Sequence, residues 1–182
     1  MNTPNPDDDV MVIEDADDDA SADPSHASSA TWTMLIVDDD EDMHHVTRLV
    51  LSNFQFQGRP LELISAFSGA EGFEVLKKNN NIAVILLDVV METDDAGLVL
   101  TRRIREELNN HLVRIILRTG QSGQAPESEV IEAYDINDYK DKSELTVLKL
   151  RTAVISALRT FIKMFSMEAT QQALEERDAK KS

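Results

Sequence analysis

Residues 82–97 read IAVILLDVVMETDDAG, and this stretch decides the fold. The unbroken apolar run from Ile82 to Leu87 predicts a strand buried on both faces, as in a parallel sheet covered by helices. The run ends at Asp88. Because an unpaired buried carboxylate is costly, and because ligands of open α/β sheets bind at the carboxyl ends of the strands, Asp88 is the first candidate for chemistry. A turn or helix-capping aspartate is the simpler alternative.

The composition narrows the class of protein. The 182 residues carry 18 basic and 34 acidic side chains, a net charge of −16, which disfavours nucleic acid as a partner because phosphate binding needs a basic face. The absence of cysteine excludes disulfides and thiolate metal sites. No apolar run approaches the roughly 20 residues of a membrane span, and the acidic N-terminus is unlike a signal peptide. We therefore expect a soluble, cytoplasmic protein without membrane contact.

Residues 1–31 differ in composition from the rest of the chain. They contain nine acidic residues, no lysine or arginine, and mostly serine, alanine, proline and asparagine otherwise. Such a segment buries too little apolar surface to offset its chain entropy. We predict a disordered acidic tail.

Strand and helix patterns alternate from residue 32 to about residue 162. Apolar runs predict strands at 33–37, 61–66, 82–87 and 113–117, with a weaker fifth strand at 134–139. Amphipathic helices are predicted between them, including a short one opened by Pro126, and a long last helix starts near Ser143, whose hydroxyl is the expected cap. This alternation predicts one α/β domain with a parallel sheet and right-handed crossovers.

Polar side chains follow four of these strands: Asp38 and Asp39, then Asp88, Thr119 and Lys142. Clustered carboxylates repel one another unless a cation joins them, and oxygen ligands suit Mg²⁺. An aspartate can attack phosphorus and form an acyl phosphate, while a lysine and a hydroxyl can contact the phosphate oxygens. The set predicts reversible aspartyl phosphorylation.

Parts of this pattern have simpler interpretations. The acid run 38–42 also fits a solvated helix start, because acids favour that end of the helix dipole, and we assign residues 40–42 to that role. His44 and His45 beside the acids suggest a transition-metal site, but adjacent helical residues point in different directions. Arg118 is expected on the sheet face opposite Thr119, and we assign it no catalytic role.

Four segments, in this order, resemble the receiver domain of two-component response regulators over residues 34–162. They are LIVDDDED (35–42), ILLDVVM (85–91), ILRTG (116–120) and NDYKDK (137–142). The resemblance implies a flavodoxin-like (βα)5 fold, a three-layer sandwich around a five-stranded parallel sheet of order 2-1-3-4-5, here with an extended C-terminal helix.

The resemblance also implies roles for single residues. Asp88 matches the phosphoacceptor, Asp38 and Asp39 match the acidic pair that binds Mg²⁺, and Val90 matches the position whose backbone carbonyl binds the metal. The remaining matches are Thr119 for the hydroxyl of the family motif, Lys142 for its lysine with Lys140 as the alternative, and Tyr139 for the aromatic switch residue.

A receiver domain implies a sensor histidine kinase or phosphotransfer protein as the phosphoryl donor. Phosphorylation would shift Thr119 and Tyr139 and repack the face formed by the fourth helix, the fifth strand and the last helix. The output would be a downstream protein partner or a homodimer. The chain would be a phosphoacceptor rather than an enzyme, with self-phosphorylation from small donors and autodephosphorylation as its own chemistry.

Three positions depart from the usual family pattern. Glu92 and Ser143 stand where prolines are usual, the second after a cis peptide bond, and Gly120 replaces a small alanine. The motifs ILRTGQ and YDINDYK resemble a subgroup of receivers found with HD-GYP-type cyclic-di-GMP phosphodiesterase outputs. We find no HD pair or GYP motif in this sequence.

The last helix carries more apolar surface than one packing face requires. Leu148, Ile155, Ile162 and Ala169 recur every seven residues, and Leu158 and Phe165 fill the offset position. A broad core-facing side explains part of this pattern. We expect residues 163–182 to extend the helix beyond the domain with a frayed end, and we predict a dimer or partner contact through Ile155, Leu158, Ile162 and Phe165.

Two other functional classes fit the sequence. A phosphorylation-independent scaffold would use the same fold for dimerisation or docking. A Mg²⁺-dependent phosphatase of the haloacid dehalogenase kind also uses clustered acids, and Asp38 and Asp40 have the spacing of its Asp-x-Asp motif, but the threonine that usually follows is missing.

Overall fold

The computed structural model describes residues 31–120, 132, 135–141 and 146–180, with backbone only for 139–141. The elements in chain order are β1 (Trp32–Val37), α1 (Glu41–Leu51), β2 (Gln55–Phe56), β3 (Arg59–Ala66), α2 (Gly69–Lys78), β4 (Ile82–Asp88), α3 (Ala96–Glu106), β5 (Arg114–Thr119), β6 (Asp138–Asp141) and α4 (Val147–Ala179). The expected tail up to residue 30, most of the short helix after Pro126, and the Lys142–Ser143 bond lie outside the described residues.

The strands form one six-stranded sheet of order β2-β3-β1-β4-β5-β6. Every pair from β3 to β6 is parallel, with Leu35 opposite Ile64 and Ile85 opposite Ile115. Without β2 this is the predicted parallel order 2-1-3-4-5, so the flavodoxin-like class is confirmed. β1 and β4 lie at the centre of the sheet and are buried along their whole length.

The strand β2 is an addition that we did not predict. It pairs antiparallel with the start of β3, joined by Gln57 and Gly58. Both of these residues have positive φ, 52° and 73°, which is the backbone conformation of the two-residue turns that match hairpin twist. Residues 57 and 58 therefore close a hairpin at the sheet edge.

The fifth predicted strand starts later than expected, at Asp138 instead of Tyr134. Asp135 has a φ of 47°, which is not a strand conformation. The Asn137 side chain then accepts a hydrogen bond from the backbone N–H of Ile115 at 2.9 Å. The Asn137 N–H also donates to the Ile115 carbonyl at 2.9 Å, so Asn137 bonds both backbone groups of Ile115 and the strand begins directly after it.

Helices cover both faces of the sheet, which gives the expected three-layer sandwich. On one face α2 and α3 bury Phe73, Leu76, Leu100 and Ile104 against Leu35, Ile85, Leu87 and Ile115, which form the first core. On the other face α1 and α4 bury Leu51, Leu150, Val154 and Leu158 against Met34, Val84, Leu86 and Ile116, which form the second core. Burial of this apolar surface provides most of the free energy of folding.

The last helix is longer than the sheet that it covers. Its 33 residues span about 50 Å, and its buried side chains lie between Leu150 and Leu158. The Thr146 hydroxyl accepts from the N–H of Lys149 at 3.3 Å and caps the helix, so the cap is not Ser143. The helix remains regular through Ala179. Within the described residues, no helix combines the length and apolar composition that a membrane span needs.

Trp32, the only tryptophan of the chain, begins β1 at the edge of the second core. Its indole N–H donates to the carbonyl of Phe56 at 3.0 Å. The guanidinium of Arg59 lies 3.7 Å from the ring centre, and the ring of Phe161 meets it edge-on at 6.4 Å. Trp32 therefore joins the added hairpin and the last helix to the sheet.

The buried Arg105 ties the end of α3 to the loops beside it. It donates to the carbonyls of Asn110 at 2.6 Å and Val113 at 3.0 Å, and to that of Asp135 at 3.2 Å. Burial and the neighbouring Arg114 lower the pKa of Arg105 to about 10. The side chain still carries its charge at neutral pH.

Candidate functional site

Three carboxylates meet where β1 and β4 end. These strands are neighbours in the sheet, so Asp38 and Asp39 after β1 come beside Asp88 at the end of β4. One carboxylate oxygen of each lies within 4.8 Å of the other two. Asp38 and Asp88 are buried, whereas Asp39 is exposed. The structure thus brings together the three acids that the sequence predicted as metal ligands.

The backbone turn after β1 fixes the position of Asp38. Its N–H donates to the carbonyl of Ala66 at 3.2 Å, and its Oδ1 accepts from the N–H of Asp40 at 2.9 Å. Asp40 in turn caps α1 by accepting from the N–H of Asp42 at 2.9 Å. This is the helix-start role that we assigned to residues 40–42.

The donor set fits a hard divalent cation. Carboxylate oxygens are the ligands that Mg²⁺ prefers, and Mg²⁺ is usually bound by one or two carboxylates with water and phosphate completing the shell. Asp39 is exposed, so one side of the cluster is open to solvent. Such an ion would lessen the repulsion among the carboxylates and the oxygens of an incoming phosphoryl group.

The loop after β4 is held close to the cluster by backbone contacts. Val89 donates to the carbonyl of Arg118 at 2.9 Å and accepts from the N–H of Gly97 at 2.9 Å. Val90, the expected carbonyl ligand, follows in this loop, and its half-buried side chain packs against the first core. Glu92 accepts from the N–H of Gly69 at 2.9 Å, so the residue in place of the usual proline ties this loop to the start of α2.

Thr119 ends β5, the strand next to β4, and is buried. Asp88 pairs in register with Arg118, which places Thr119 one residue beyond the phosphoacceptor candidate at the same edge of the sheet. Tyr139 lies in β6 opposite Leu117, with only its backbone described. Lys142 lies outside the described residues, and its predicted role remains a prediction.

Arg118 is the residue of this site that sequence reasoning missed. It is fully buried and forms an ion pair with Asp38 Oδ2. The side chain also lies 3.5 Å from the Thr47 hydroxyl of α1, on the sheet face that we expected. A charged residue inside the buried strand IILRT was the available signal, because a buried charge requires a partner of opposite charge.

His44 has a structural role beside the cluster. The buried ring bonds the Ser65 hydroxyl at 2.9 Å and the backbone carbonyl of Asp38 at 2.8 Å through its two nitrogens. His45 points into solvent. Among the described residues, the group that could hold a metal consists of Asp38, Asp39 and Asp88.

The four residues predicted to form a contact face on the last helix differ in their burial. Leu158 is fully buried in the second core, and Ile155 and Ile162 are half-buried against it. Leu158 therefore packs the helix on its own domain and was wrongly predicted as a contact residue, whereas a contact through Ile155 and Ile162 stays a prediction. Phe165 is 56 % exposed, and Met167 and Leu174 are exposed farther along.

Comparison with known proteins agrees with this architecture. Residues 34–155 match the response regulator receiver domain family. The chain is 58 % identical over 134 residues, 74 % of its length, to 3'3'-cGAMP-specific phosphodiesterase 2 of Vibrio cholerae, but spans only 26 % of that protein. It is 29 % identical to a Chemotaxis protein CheY homolog of Campylobacter jejuni over 58 % of this chain and 77 % of that one.

The fold is also shared with a solved receiver domain from an HD domain-containing protein. The signal receiver domain of an HD domain-containing protein from Pseudomonas fluorescens Pf-5 superposes with a TM-score of 0.63 at 20 % identity, covering 74 % of this chain and 99 % of that one. Receiver domains of this family are generally non-catalytic and operate in two-component signalling. With the family match extending over both acidic strand ends and Thr119, the chain belongs to the response regulator receiver domain family.

Proposed function

We propose that this chain accepts a phosphoryl group on Asp88 from a sensor histidine kinase or a phosphotransfer protein. The observation that carries the proposal is the meeting of Asp38, Asp39 and Asp88 at one edge of the sheet, with Thr119 on the next strand end. We assign Asp88 as the nucleophile because it ends the central buried strand β4 and matches the phosphoacceptor position of the receiver family. Asp38 is engaged through both oxygens, by Arg118 and by the Asp40 N–H, and Asp39 lies outermost.

The transfer needs only groups that this site and its donor supply. A carboxylate oxygen of Asp88 attacks the phosphorus of a phosphohistidine, and an O–P bond forms as the P–N bond breaks. The bonding electron pair leaves with the imidazole nitrogen, which takes up a proton. Asp38, Asp39, Asp88 and the Val90 carbonyl would hold Mg²⁺, which stabilises the negative charge on the phosphoryl oxygens. Thr119 and Lys142 would contact those oxygens.

The same site would drive a conformational switch. Thr119 pairs across the sheet with Asp141 in β6, so a movement of Thr119 toward the phosphoryl group can reposition β6 and Tyr139. The face predicted from the short helix that Pro126 opens, the strand β6 and the last helix α4 would then repack between two states, as in other switch proteins. A cytoplasmic kinase and a downstream protein are the partners that this role requires.

Asp88→Asn is expected to abolish phosphoryl uptake, because the amide removes the nucleophilic carboxylate while preserving shape. Intact mass after incubation with acetyl phosphate and Mg²⁺ measures it: the wild-type protein should gain one phosphoryl group. Asp95→Asn is the matched control, since Asp95 lies in the same loop but accepts from the Thr93 hydroxyl at 2.9 Å, and it should retain uptake. Undiminished transfer to Asp88→Asn, from acetyl phosphate or from a kinase, would refute the proposal.

A self-association role is the second candidate function, favoured by exposed apolar side chains on α4 beyond the sheet. Phe165 is 56 % exposed and continues the apolar stripe of Leu158 and Ile162 beyond the sheet, and exposed apolar surface of this kind marks a contact site. The occupant that we propose is the same segment of a second copy, because a long helix with apolar side chains can pair with its own copy.

Phe165→Glu is therefore expected to shift the protein toward monomer. Sedimentation velocity over a range of protein concentrations measures the change, because a buried contact cannot accommodate an unpaired carboxylate. Leu49→Glu on α1, where Leu49 is 69 % exposed, is the control and should leave the distribution unchanged. A wild-type protein that remains monomeric at all concentrations would contradict the scaffold role.

A further inference from the structure

The ion pair between Arg118 and Asp38 links the inside of the fold to the acidic cluster. Arg118 extends from β5 toward α1 and is fully buried, as is Asp38. Its guanidinium contacts Asp38 Oδ2 and lies 3.5 Å from the Thr47 hydroxyl. Within the described residues, its Nε has no hydrogen-bond partner, so the charge depends mainly on the aspartate.

This pairing engages the carboxylate of a candidate metal ligand. Asp38 Oδ1 accepts from the N–H of Asp40 at 2.9 Å, and Oδ2 binds Arg118. Asp38 is therefore oriented by the protein itself. The arginine also offsets one of the negative charges that the three acids place together, which lowers their mutual repulsion when no metal is bound.

We propose that Arg118 is a built-in counter-ion and positioning residue of the acidic cluster. It holds Asp38 in place in the metal-free protein, and it weakens Mg²⁺ binding by opposing the divalent charge and occupying Asp38 Oδ2. Asp39 and Asp88 then supply most of the direct affinity for the ion. This inference rests on the proposed Mg²⁺-dependent function of the cluster and adds to it a residue that sets metal affinity.

The same strand contains a natural comparison. Arg114 is also fully buried in β5 and pairs with Asp135 at 2.6 Å. It lies at the opposite end of the strand, away from the acidic cluster. Both arginines are buried charges paired with an aspartate, but Asp135 is exposed and only Arg118 contacts a candidate metal ligand. A purely structural role would make the two residues equivalent with respect to Mg²⁺, whereas the counter-ion role would not.

The test is Mg²⁺ binding by isothermal titration, with thermal unfolding measured with and without Mg²⁺. Arg118→Met should bind Mg²⁺ at least about tenfold more tightly than the wild type, because an opposing charge is removed from a partly desolvated site. Its unfolding temperature without Mg²⁺ should fall and recover as the ion is added. Arg118→Lys, which keeps the charge, should bind nearly as the wild type does. Arg114→Met should lose stability and keep the wild-type affinity.

Each outcome separates the inference from its alternative. Equal or weaker Mg²⁺ binding by a folded Arg118→Met protein overturns the counter-ion role, as does an absence of binding by both proteins. Arg118→Gln keeps a hydrogen-bond donor for Asp38 without the charge, and it serves as the second variant if the methionine variant does not fold. Phosphoryl uptake plays no part in these titrations, so a failure of the proposed phosphoacceptor function would be seen separately, in the acetyl phosphate experiment.

Discussion

Replacing Gly97 with alanine is expected to disrupt the connection between β4 and α3. A Cβ at this position would overlap the carbonyl oxygen of Asp88 and lie 2.8 Å from the Cα of Val89. Both are backbone atoms of the loop that carries the phosphoacceptor candidate, so no side chain can rotate away. The hydrogen bond from the Gly97 N–H to the Val89 carbonyl, now 2.9 Å, would also lengthen.

The expected loss is about 3 kcal/mol in the free energy of unfolding, as for overpacking in a rigid core. Urea denaturation measures this loss, and acetyl phosphate uptake should fall with it because Asp88 moves. Gly72→Ala is the control, since its Cβ would meet side-chain atoms of Val37 at 3.1 Å and of Leu100 at 3.2 Å. These atoms can shift, and alanine favours the helix, so its loss should be clearly smaller. Equal losses would show that the close backbone contact does not matter.

Asp38→Ala is expected to destabilise the protein far more than Asp39→Ala, although both acids are candidate metal ligands. Removing Asp38 leaves the buried guanidinium of Arg118 without its carboxylate, and an uncompensated buried charge costs about 3–5 kcal/mol. Asp39 is exposed, and its loss should change stability by no more than about 0.5 kcal/mol. Urea denaturation in metal-free buffer measures the difference.

A double variant tests the cause of this difference. Asp38→Ala combined with Arg118→Met removes both charges and should recover a large part of the stability lost in Asp38→Ala alone, because an apolar replacement of a buried pair is well tolerated. A double variant that is as unstable as the sum of the two single variants would assign the loss to packing around Asp38 instead. Both single acid variants should weaken Mg²⁺ binding, which separates their shared metal role from their different structural roles.

The sequence predicted those parts of the fold that one-dimensional patterns control. The apolar run before Asp88 and the polar ends of neighbouring strands determine the parallel sheet and its acidic edge, since a buried strand and a strand-end carboxylate each have a local signature. The hairpin at Gln57 and Gly58 was missed because its turn requires positive φ at both residues, and glutamine gives no sign of that conformation.

The remaining features depend on distances in space. The partner of Arg118 is 80 residues away in sequence, so a strand pattern could indicate that the charge is buried but not which acid binds it. The faces of the last helix were partly misassigned for the same reason. Leu158 and Phe165 occupy equivalent heptad positions, yet only Leu158 lies over the sheet. The sequence of the helix does not indicate where the sheet beneath it ends.

Trp32 gives the protein an internal optical reporter. It is the only indole in the chain, and it lies against the edge of Phe161 on the last helix, with the Arg59 guanidinium over its ring. Intrinsic emission excited in the indole band therefore comes from one place, where the long helix docks on the sheet. A departure of that helix from the domain would change the polarity around the indole and shift its spectrum, without any label having been attached.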